Sequence, residues 1–218
     1  MALPDLLING PEDAPVTIAL AHGAGAPMDS AFMEEFAEGL ADRGLRCVRF
    51  EFPYMHQRRI DGKKRPPNRA PILLETWRAV IGELGRDNLI IGGKSMGGRM
   101  ASMIAAELEA PSSEHGAAPV KGCICLGYPF HPPGKPEKAE GRMAHLLNLK
   151  TPTLILQGTR DTFGTQEQVP TFPLSQAIEV QWLEDGDHGF KPRVKSGRTE
   201  RQNWGEAMDS MDRFARTV

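Results

Sequence analysis

Residues 88–108 read NLIIGGKSMGGRMASMIAAEL, and this stretch indicates both the fold class and the chemistry of the chain. It begins with a short apolar run that predicts a buried strand, and it ends with a helical run of small residues that can approach a sheet closely. Between the two runs, Gly93-Lys94-Ser95-Met96-Gly97 matches the pattern Gly-x-Ser-x-Gly. A serine in a tight strand-to-helix turn is lifted to the carboxyl edge of the sheet, so Ser95 is a candidate nucleophile.

The same glycines do not satisfy the nucleotide-binding motifs. Gly93-Lys94-Ser95 could end a phosphate-binding loop, but that motif needs a glycine five residues earlier, where the chain has Asn88. Gly23 and Gly25 lack the third glycine of a dinucleotide fingerprint, because Met28 stands there. We therefore predict no nucleotide and no cofactor. The alternative interpretation of this stretch is a glycine-rich strand-to-helix turn with an inert serine.

Outside this stretch, short apolar runs alternate with longer amphipathic ones. This alternation predicts an α/β fold, with a mostly parallel sheet of about six strands and helices on both faces. The length of 218 residues suits one domain, with its core at about residues 14–215 and no cap domain. The predicted strands are Val16–Ala21, Arg46–Phe52, Asn88–Gly92, Val120–Leu126, Thr153–Gln157 and Ile178–Leu183.

The N-terminal part of the predicted sheet is short. Only about 15 residues precede the first strong strand, so any earlier strand is reduced to residues 6–8. Residues 46–52 should then lie at or near an edge of the sheet. Because an exposed edge is a template for strand pairing, we expect either a homodimer there or cover by the N-terminal segment.

Composition argues against several classes of partner. The 26 Lys and Arg against 28 Asp and Glu leave a net charge of −2, unlike a dedicated nucleic-acid binder. No apolar run is long enough for a membrane span, and the N-terminus does not resemble a secretory signal. Three cysteines without a Cys-x-x-Cys pair lie in strand-like runs, which predicts a reducing, cytoplasmic setting with no disulfide and no metal site. They are Cys47, Cys123 and Cys125.

A serine hydroxyl needs a general base, and the base needs a group that orients it. The run TLILQ leads into GTRD, which places Asp161 in the turn after a buried strand. The run IEVQWL leads into EDGDHGF, which places His188 in a glycine-flanked turn. We predict that Asp161 orients His188 and that His188 activates Ser95. Asp185 and Asp187, beside His188, remain alternative acids that could instead form salt bridges to the basic loop of residues 54–70.

An oxyanion intermediate requires two backbone N–H donors. The residue after the nucleophile, Met96, supplies one candidate. The loop AHGAGA after the first strong strand supplies the other, with Ala24 favoured and Gly25 next. His22 in this loop is more plausible as a brace than as a catalyst.

Two segments read as long loops on the ligand side of the sheet, residues 54–70 and 127–140. The first is strongly basic and is either a solvated surface or a recognition element for an anion. Together with the neighbouring turns, these segments supply candidate substrate-binding residues. They are His22, Tyr54, Arg58, Arg59, Tyr128, Phe130, His131 and Phe163.

Several stretches in combination resemble the KANL3/Tex30-type branch of the α/β-hydrolases and, more distantly, the dienelactone hydrolases. They are AHGAGAPMDS, FPYM with the basic RR…GKKRPP segment, GGKSMGGRMAS, GYPFHPPGKPEK, LILQGTRDTFG and DGDHGF. The resemblance covers residues 14–215. It implies an α/β-hydrolase fold with Ser95, Asp161 and His188 in the triad positions. It implies less about the substrate, because the eukaryotic KANL3 relative is a subunit of a chromatin complex.

Two hypotheses of function follow. The first is a serine hydrolase without a cofactor, which cleaves an acyl ester or thioester of a small-molecule or acylated substrate. The second is a non-catalytic α/β-hydrolase scaffold that binds a protein partner through the basic segment. The presence of all three triad residue types favours the first, because a pure scaffold does not need them.

Overall fold

The computed structural model describes residues 3–109 and 120–218, which form a seven-stranded sheet with helices on both faces. The strands are β1 (Leu6–Asn9), β2 (Thr17–Ala21), β3 (Arg46–Phe50), β4 (Leu89–Lys94), β5 (Gly122–Leu126), β6 (Thr153–Gly158) and β7 (Ile178–Leu183). The α-helices are α1 (Ala31–Ala41), α2 (Pro53–Asp61), α3 (Ala70–Leu84), α4 (Met96–Leu108), α5 (Glu140–Met143) and α6 (Glu200–Thr217).

The strands lie in the order β1-β3-β2-β4-β5-β6-β7, and all neighbours are parallel except β1 and β3. The six predicted strands are confirmed, with ends shifted by at most two residues. The seventh strand is the reduced N-terminal one. It pairs antiparallel with β3, from Leu6 opposite Phe50 to Asn9 opposite Cys47. The N-terminal segment therefore covers β3, which is one of the two alternatives expected for that edge.

Two apolar layers enclose the sheet. On one face Trp77 of α3 packs edge-on against Phe50 of β3, with ring centroids 4.7 Å apart. On the other face α1 and α6 pack together, and Phe36 lies 6.2 Å from Trp204 between ring centroids. Burying side chains of this size contributes about 1.5–3 kcal/mol each, so both layers stabilise the sheet. No helix in the described ranges is long and apolar enough to cross a membrane.

The prediction of a long loop over residues 54–70 is wrong for its first half, which forms α2. Pro53 occupies the first turn of α2, where its missing N–H costs nothing. Gly62 ends α2 in the left-handed conformation, with φ +71°. Arg59 fixes α2 to the body of the fold through ion pairs to Asp29 and Glu51. These tertiary ion pairs hold a segment whose polar composition alone predicts no helix.

Candidate active site

Ser95 lies at the sharp turn between β4 and α4. Its backbone has φ +53° and ψ −113°, a conformation that L-residues adopt only at a local cost. The glycines of the motif are explained by close packing on Ala21 of β2. A Cβ at either Gly93 or Gly97 would lie 2.3 Å from the Ala21 carbonyl oxygen. The pattern Gly-x-Ser-x-Gly is therefore required here by backbone contact, and it places Ser95 at the carboxyl edge of the sheet.

The structure brings Ser95, His188 and Asp161 into one chain of hydrogen bonds. The Nε2 atom of His188 lies 2.9 Å from Ser95 Oγ, and its Nδ1 atom lies 2.7 Å from Asp161 Oδ2. Asp161 is fully buried, and its carboxylate also accepts hydrogen bonds from Gln157 Nε2 (3.0 Å) and from the Phe163 backbone N–H (2.9 Å). Because the carboxylate can only accept, Nδ1 carries the proton, and Nε2 is free to accept from the serine hydroxyl.

The alternative acids have other partners. Asp185 pairs with Arg193 and with Arg160, and the Arg193 guanidinium lowers the pKa of Asp185 to about 2. Neither arginine belongs to the basic loop of residues 54–70, so the salt bridge that was considered as an alternative goes to other residues. The Asp187 Oδ1 atom accepts from two backbone N–H groups of its own turn, at 2.8 and 3.0 Å. Both aspartates therefore shape the turn that carries His188, whereas Asp161 contacts the imidazole.

Glycines allow the turns after β5, β6 and β7 to converge on His188. A Cβ at Gly127, which has φ +67°, would lie 3.2 Å from His188 Nδ1. A Cβ at Gly158 would lie 2.3 Å from the Gly186 carbonyl oxygen. Side chains at these positions would push the acid and histidine turns apart.

Ser95 opens into a pocket of about 410 Å³. One wall is the glycine- and alanine-rich loop after β2, and another is α1. The Phe163 ring covers the imidazole of His188, with centroids 4.3 Å apart. The pocket is lined by Gly23, Ala24, Gly25, Ala26, Ser30, Phe32, Met33, Lys94, Ser95, Phe163, His188 and Gly189.

The loop of residues 23–26 lies directly against the serine turn, where the second oxyanion donor was predicted. A Cβ at Gly23 would lie 3.9 Å from Ser95 Cβ. Within the described ranges, neither the Ala24 nor the Met96 backbone N–H donates a hydrogen bond to a protein acceptor. Both N–H groups therefore stay available to a ligand beside Ser95, and Gly25 lines the same pocket.

Residues 14–216 match the family model described as the alpha/beta hydrolase domain. The chain belongs to the alpha/beta hydrolase family. It is similar in fold to an alpha-beta serine hydrolase homologue from Coxiella burnetii, with 20% identity over 95% of this chain and 89% of that one and a TM-score of 0.67. A monoacylglycerol lipase from Paleococcus ferrophilus gives 14% identity, 98% coverage of both chains and a TM-score of 0.70. A dienelactone hydrolase from Anabaena variabilis is 19% identical, over 94% of this chain and 88% of that one, with a TM-score of 0.62.

Two residues predicted to bind substrate in this alpha/beta hydrolase instead brace the loop after β2. The Nε2 atom of His22 accepts from the Phe52 backbone N–H at 3.1 Å, and its Nδ1 atom donates to the Gly23 carbonyl at 2.7 Å. Burial lowers the pKa of His22, which keeps the ring neutral for this pair of bonds. The Tyr54 hydroxyl donates to the Ala24 carbonyl at 3.0 Å. Both side chains are buried behind the loop, so the prediction that they contact substrate is corrected.

The other predicted pocket residues lie elsewhere, with one exception. Phe163 lines the pocket at Ser95. Arg58 and Arg59 border a separate cavity of about 210 Å³ beside α2. In the segment after β5, three side chains that were predicted to line the pocket are buried in the fold, so that prediction is wrong for them. The residues buried in this way are Tyr128, Phe130 and His131.

Lys94 is a pocket residue that the sequence did not single out. Its Nζ atom donates to the His188 carbonyl oxygen at 2.5 Å, which ties the serine turn to the histidine turn. The ammonium also lies 5.5 Å from the ring centroids of Phe32 and of Phe190. Burial lowers the pKa of Lys94 to about 8, although Asp161 and Asp187 oppose this shift. Lys94 occupies an unspecified position of the Gly-x-Ser-x-Gly pattern, so the pattern does not predict that it joins the two turns.

The lowered pKa of Lys94 predicts a pH-dependent stability. In the unfolded chain the lysine keeps its ordinary pKa of 10.5, so between pH 8 and 10.5 the unfolded state binds more protons than the native state. Stability from this group therefore rises with pH across that window. Relative to Lys94→Met, the wild type should gain about 2 kcal/mol in unfolding free energy between pH 7.5 and 10, measured by urea denaturation. A difference that does not change with pH would contradict this prediction.

Proposed function

We propose that this alpha/beta hydrolase is a serine hydrolase that cleaves an acyl ester or thioester through an acyl-enzyme. The observation that supports the proposal most strongly is the hydrogen-bond chain from Ser95 through His188 to the buried Asp161. Each hydrogen bond has the length and the direction that proton transfer requires. The serine turn, the histidine turn and the acid turn come from three different strands and meet only at this point.

The proposed reaction uses these groups in sequence. His188 Nε2 takes the proton from Ser95 Oγ as the oxygen attacks the substrate carbonyl, and Asp161 stabilises the imidazolium. The backbone N–H groups of Met96 and Ala24 stabilise the negative charge that forms on the carbonyl oxygen. His188 then donates the proton to the departing alcohol or thiol, leaving the acyl group on Ser95. Water, deprotonated by His188, releases the acid and restores the serine.

The pocket suggests the kind of substrate. Its volume of about 410 Å³ and its glycine, alanine, phenylalanine and methionine walls suit a small acyl group. We infer a carboxylesterase- or thioesterase-like activity on a small or exposed substrate. The motifs GTRDTFG and HPPGKPEK support placing the chain in the KANL3/Tex30-type branch. The sequence traits described above favour action in the cytoplasm, without a cofactor.

A scaffold without catalysis is the second candidate. The observation that favours it is an exposed basic surface after α2, where Lys63, Lys64 and Arg69 stand out from the body of the fold. In the described ranges none of the three forms an ion pair. Such a surface could bind an acidic segment of a protein partner.

A fluorophosphonate probe distinguishes the two candidates. We expect the wild type to react at one site and to hydrolyse p-nitrophenyl acetate and butyrate. Ser95→Ala should abolish labelling and lower kcat at least about a thousandfold, because the nucleophile is lost. Ser30→Ala is the matched control, since Ser30 lines the same pocket but does not contact His188. A folded wild type that neither reacts nor hydrolyses would favour the scaffold.

A further inference from the structure

A cluster of basic side chains lies beside α4, apart from the pocket described above. Arg99 follows Ser95 by one turn of α4, and its Nη2 atom reaches the Gly141 carbonyl at 3.4 Å. Arg142, in α5, donates from Nη1 to the Pro129 carbonyl at 3.2 Å. Both residues, here called the arginine pair, therefore contact the segment that follows β5, and their charges lie close enough to repel each other.

The arginine pair lacks an opposite charge among the residues that the structure describes. Among residues 3–109 and 120–218, no carboxylate lies within 4 Å of either guanidinium. Burial and the nearby Arg99 charge lower the pKa of Arg142. They also lower the pKa of His145, to about 4, so this ring is neutral. By contrast, Arg59 and Arg193 each pair with buried acids. Two like charges held together without compensation are unfavourable unless an anion joins them.

The arginine pair also has unused hydrogen-bond donors. A guanidinium carries five N–H donors, and each member makes one hydrogen bond to protein in the described ranges. The Arg99 Nε atom is buried and has no acceptor there. A buried N–H without an acceptor costs about 1–3 kcal/mol, more for a charged group, so the Arg99 guanidinium is poorly compensated by the described residues.

A neighbouring network fixes the position of Arg99. The Ser102 hydroxyl donates to the Arg99 carbonyl at 2.9 Å. Because that hydroxyl proton is used, the His145 Nε2 atom at 2.8 Å must donate to Ser102 Oγ. The helix turn and the segment after α5 are thus held together, and the arginine pair is preorganised.

We propose that Arg99 and Arg142 form a binding site for an anion with oxygen acceptors, either a carboxylate or a phosphate. The planar guanidinium fork matches both groups, and each can accept several hydrogen bonds at once. The backbone of Arg99 lies about 6 Å along the helix axis from Ser95, since α4 rises 1.5 Å per residue, and neither arginine lines the pocket at Ser95. The proposal concerns binding alone, and it does not depend on the hydrolase activity.

Titration calorimetry in a cationic buffer at constant ionic strength tests the site. The probes are inorganic phosphate and succinate, each against sodium chloride as the ionic-strength control. We expect the wild type to bind at least one probe with 1:1 stoichiometry and Arg142→Gln to weaken that binding at least tenfold. Arg142→Lys should recover only part of the loss, because it lacks the fork. Binding of phosphate alone, or of succinate alone, identifies which source the site accepts.

The matched control is Arg78→Gln, which removes the same charge from a surface pair with Glu107. It should leave binding unchanged. Equal weakening by Arg78→Gln and Arg142→Gln would overturn the proposal, because general surface charge would explain it. Failure of the folded wild type to bind either probe would also overturn it. Arg142 is only partly buried, so its variants should fold, which far-ultraviolet circular dichroism verifies.

Discussion

Replacing Asp161 by Asn is expected to lower kcat about ten-thousandfold while the chain stays folded. The Asn Oδ1 atom would accept from the Phe163 backbone N–H, as the carboxylate does at 2.9 Å, and the amide nitrogen would replace Oδ2. Gln157 Nε2, which donates to Oδ2 at 3.0 Å, would keep two backbone carbonyls as acceptors. The amide NH₂ would then face His188 Nδ1, which must accept instead of donate. The imidazole proton would move to Nε2, and Ser95 would lose the base that takes its proton.

Asp187→Asn is the matched control for this prediction. It changes the same residue type beside His188, but the hydrogen bonds of the Asp187 carboxylate within the described ranges come from backbone N–H groups of its own turn. We expect a loss in kcat of less than about tenfold, since an amide oxygen can accept those bonds. Steady-state hydrolysis of p-nitrophenyl butyrate by both variants measures the difference. Losses of similar size would contradict the assignment of Asp161 as the orienting acid.

Replacing Gly97 by Ala is expected to destabilise the fold by about 3 kcal/mol or more. The added Cβ would lie 2.3 Å from the Ala21 carbonyl oxygen and 2.7 Å from the His22 carbonyl oxygen. Both contacts are backbone atoms, so neither a rotamer change nor a flexible side chain can relieve them. Either α4 or the end of β2 must move, and the loop that faces Ser95 moves with it.

Gly205→Ala in α6 makes the same substitution in a helix with open space. Among the described residues, no atom beyond its own turn of α6 lies within 4 Å of the added Cβ, so the change should stabilise the protein by about 0.5–1 kcal/mol. Urea unfolding followed by circular dichroism gives both free energies, and hydrolysis reports the state of the site. If Gly97→Ala unfolded at the wild-type midpoint, the close approach of α4 to β2 would be refuted.

Much of the fold is predictable from local patterns in the sequence. Short strand-like runs predict six of the seven strands, and several of these are nearly all apolar because they are covered on both faces. The edge strand β7 instead mixes apolar and polar positions. The stripe of Leu73, Trp77 and Val80 gives α3, because helix periodicity depends only on near neighbours. In contrast, α2 has a polar sequence, and it is held by the ion pairs of Arg59 to Asp29, 30 residues away, and to Glu51, which lies before the helix.

The candidate site divides in the same way. Ser95, Asp161 and His188 follow strand ends, and a parallel sheet gathers its carboxyl ends at one edge, so the sequence could anticipate their meeting. The lining of the pocket could not be anticipated, because the direction of a loop side chain depends on what packs around it. Tyr54 and Tyr128 therefore turned out buried, while Lys94 and Phe32 line the pocket.

By itself, the sequence determined the alternating strand and helix pattern, the tight turn at Ser95 and the chain order of the serine, the acid and the histidine. Each of these features depends on residues that are close together in the sequence or on the order of the strands along the chain. Only the tertiary structure decided that β1 covers β3, that Lys94 joins the serine and histidine turns, and that Arg99 reaches the Gly141 carbonyl beside Arg142, with no carboxylate of the described residues paired to either arginine. These contacts join residues tens of positions apart, and their energies depend on burial and direction, which no local pattern encodes.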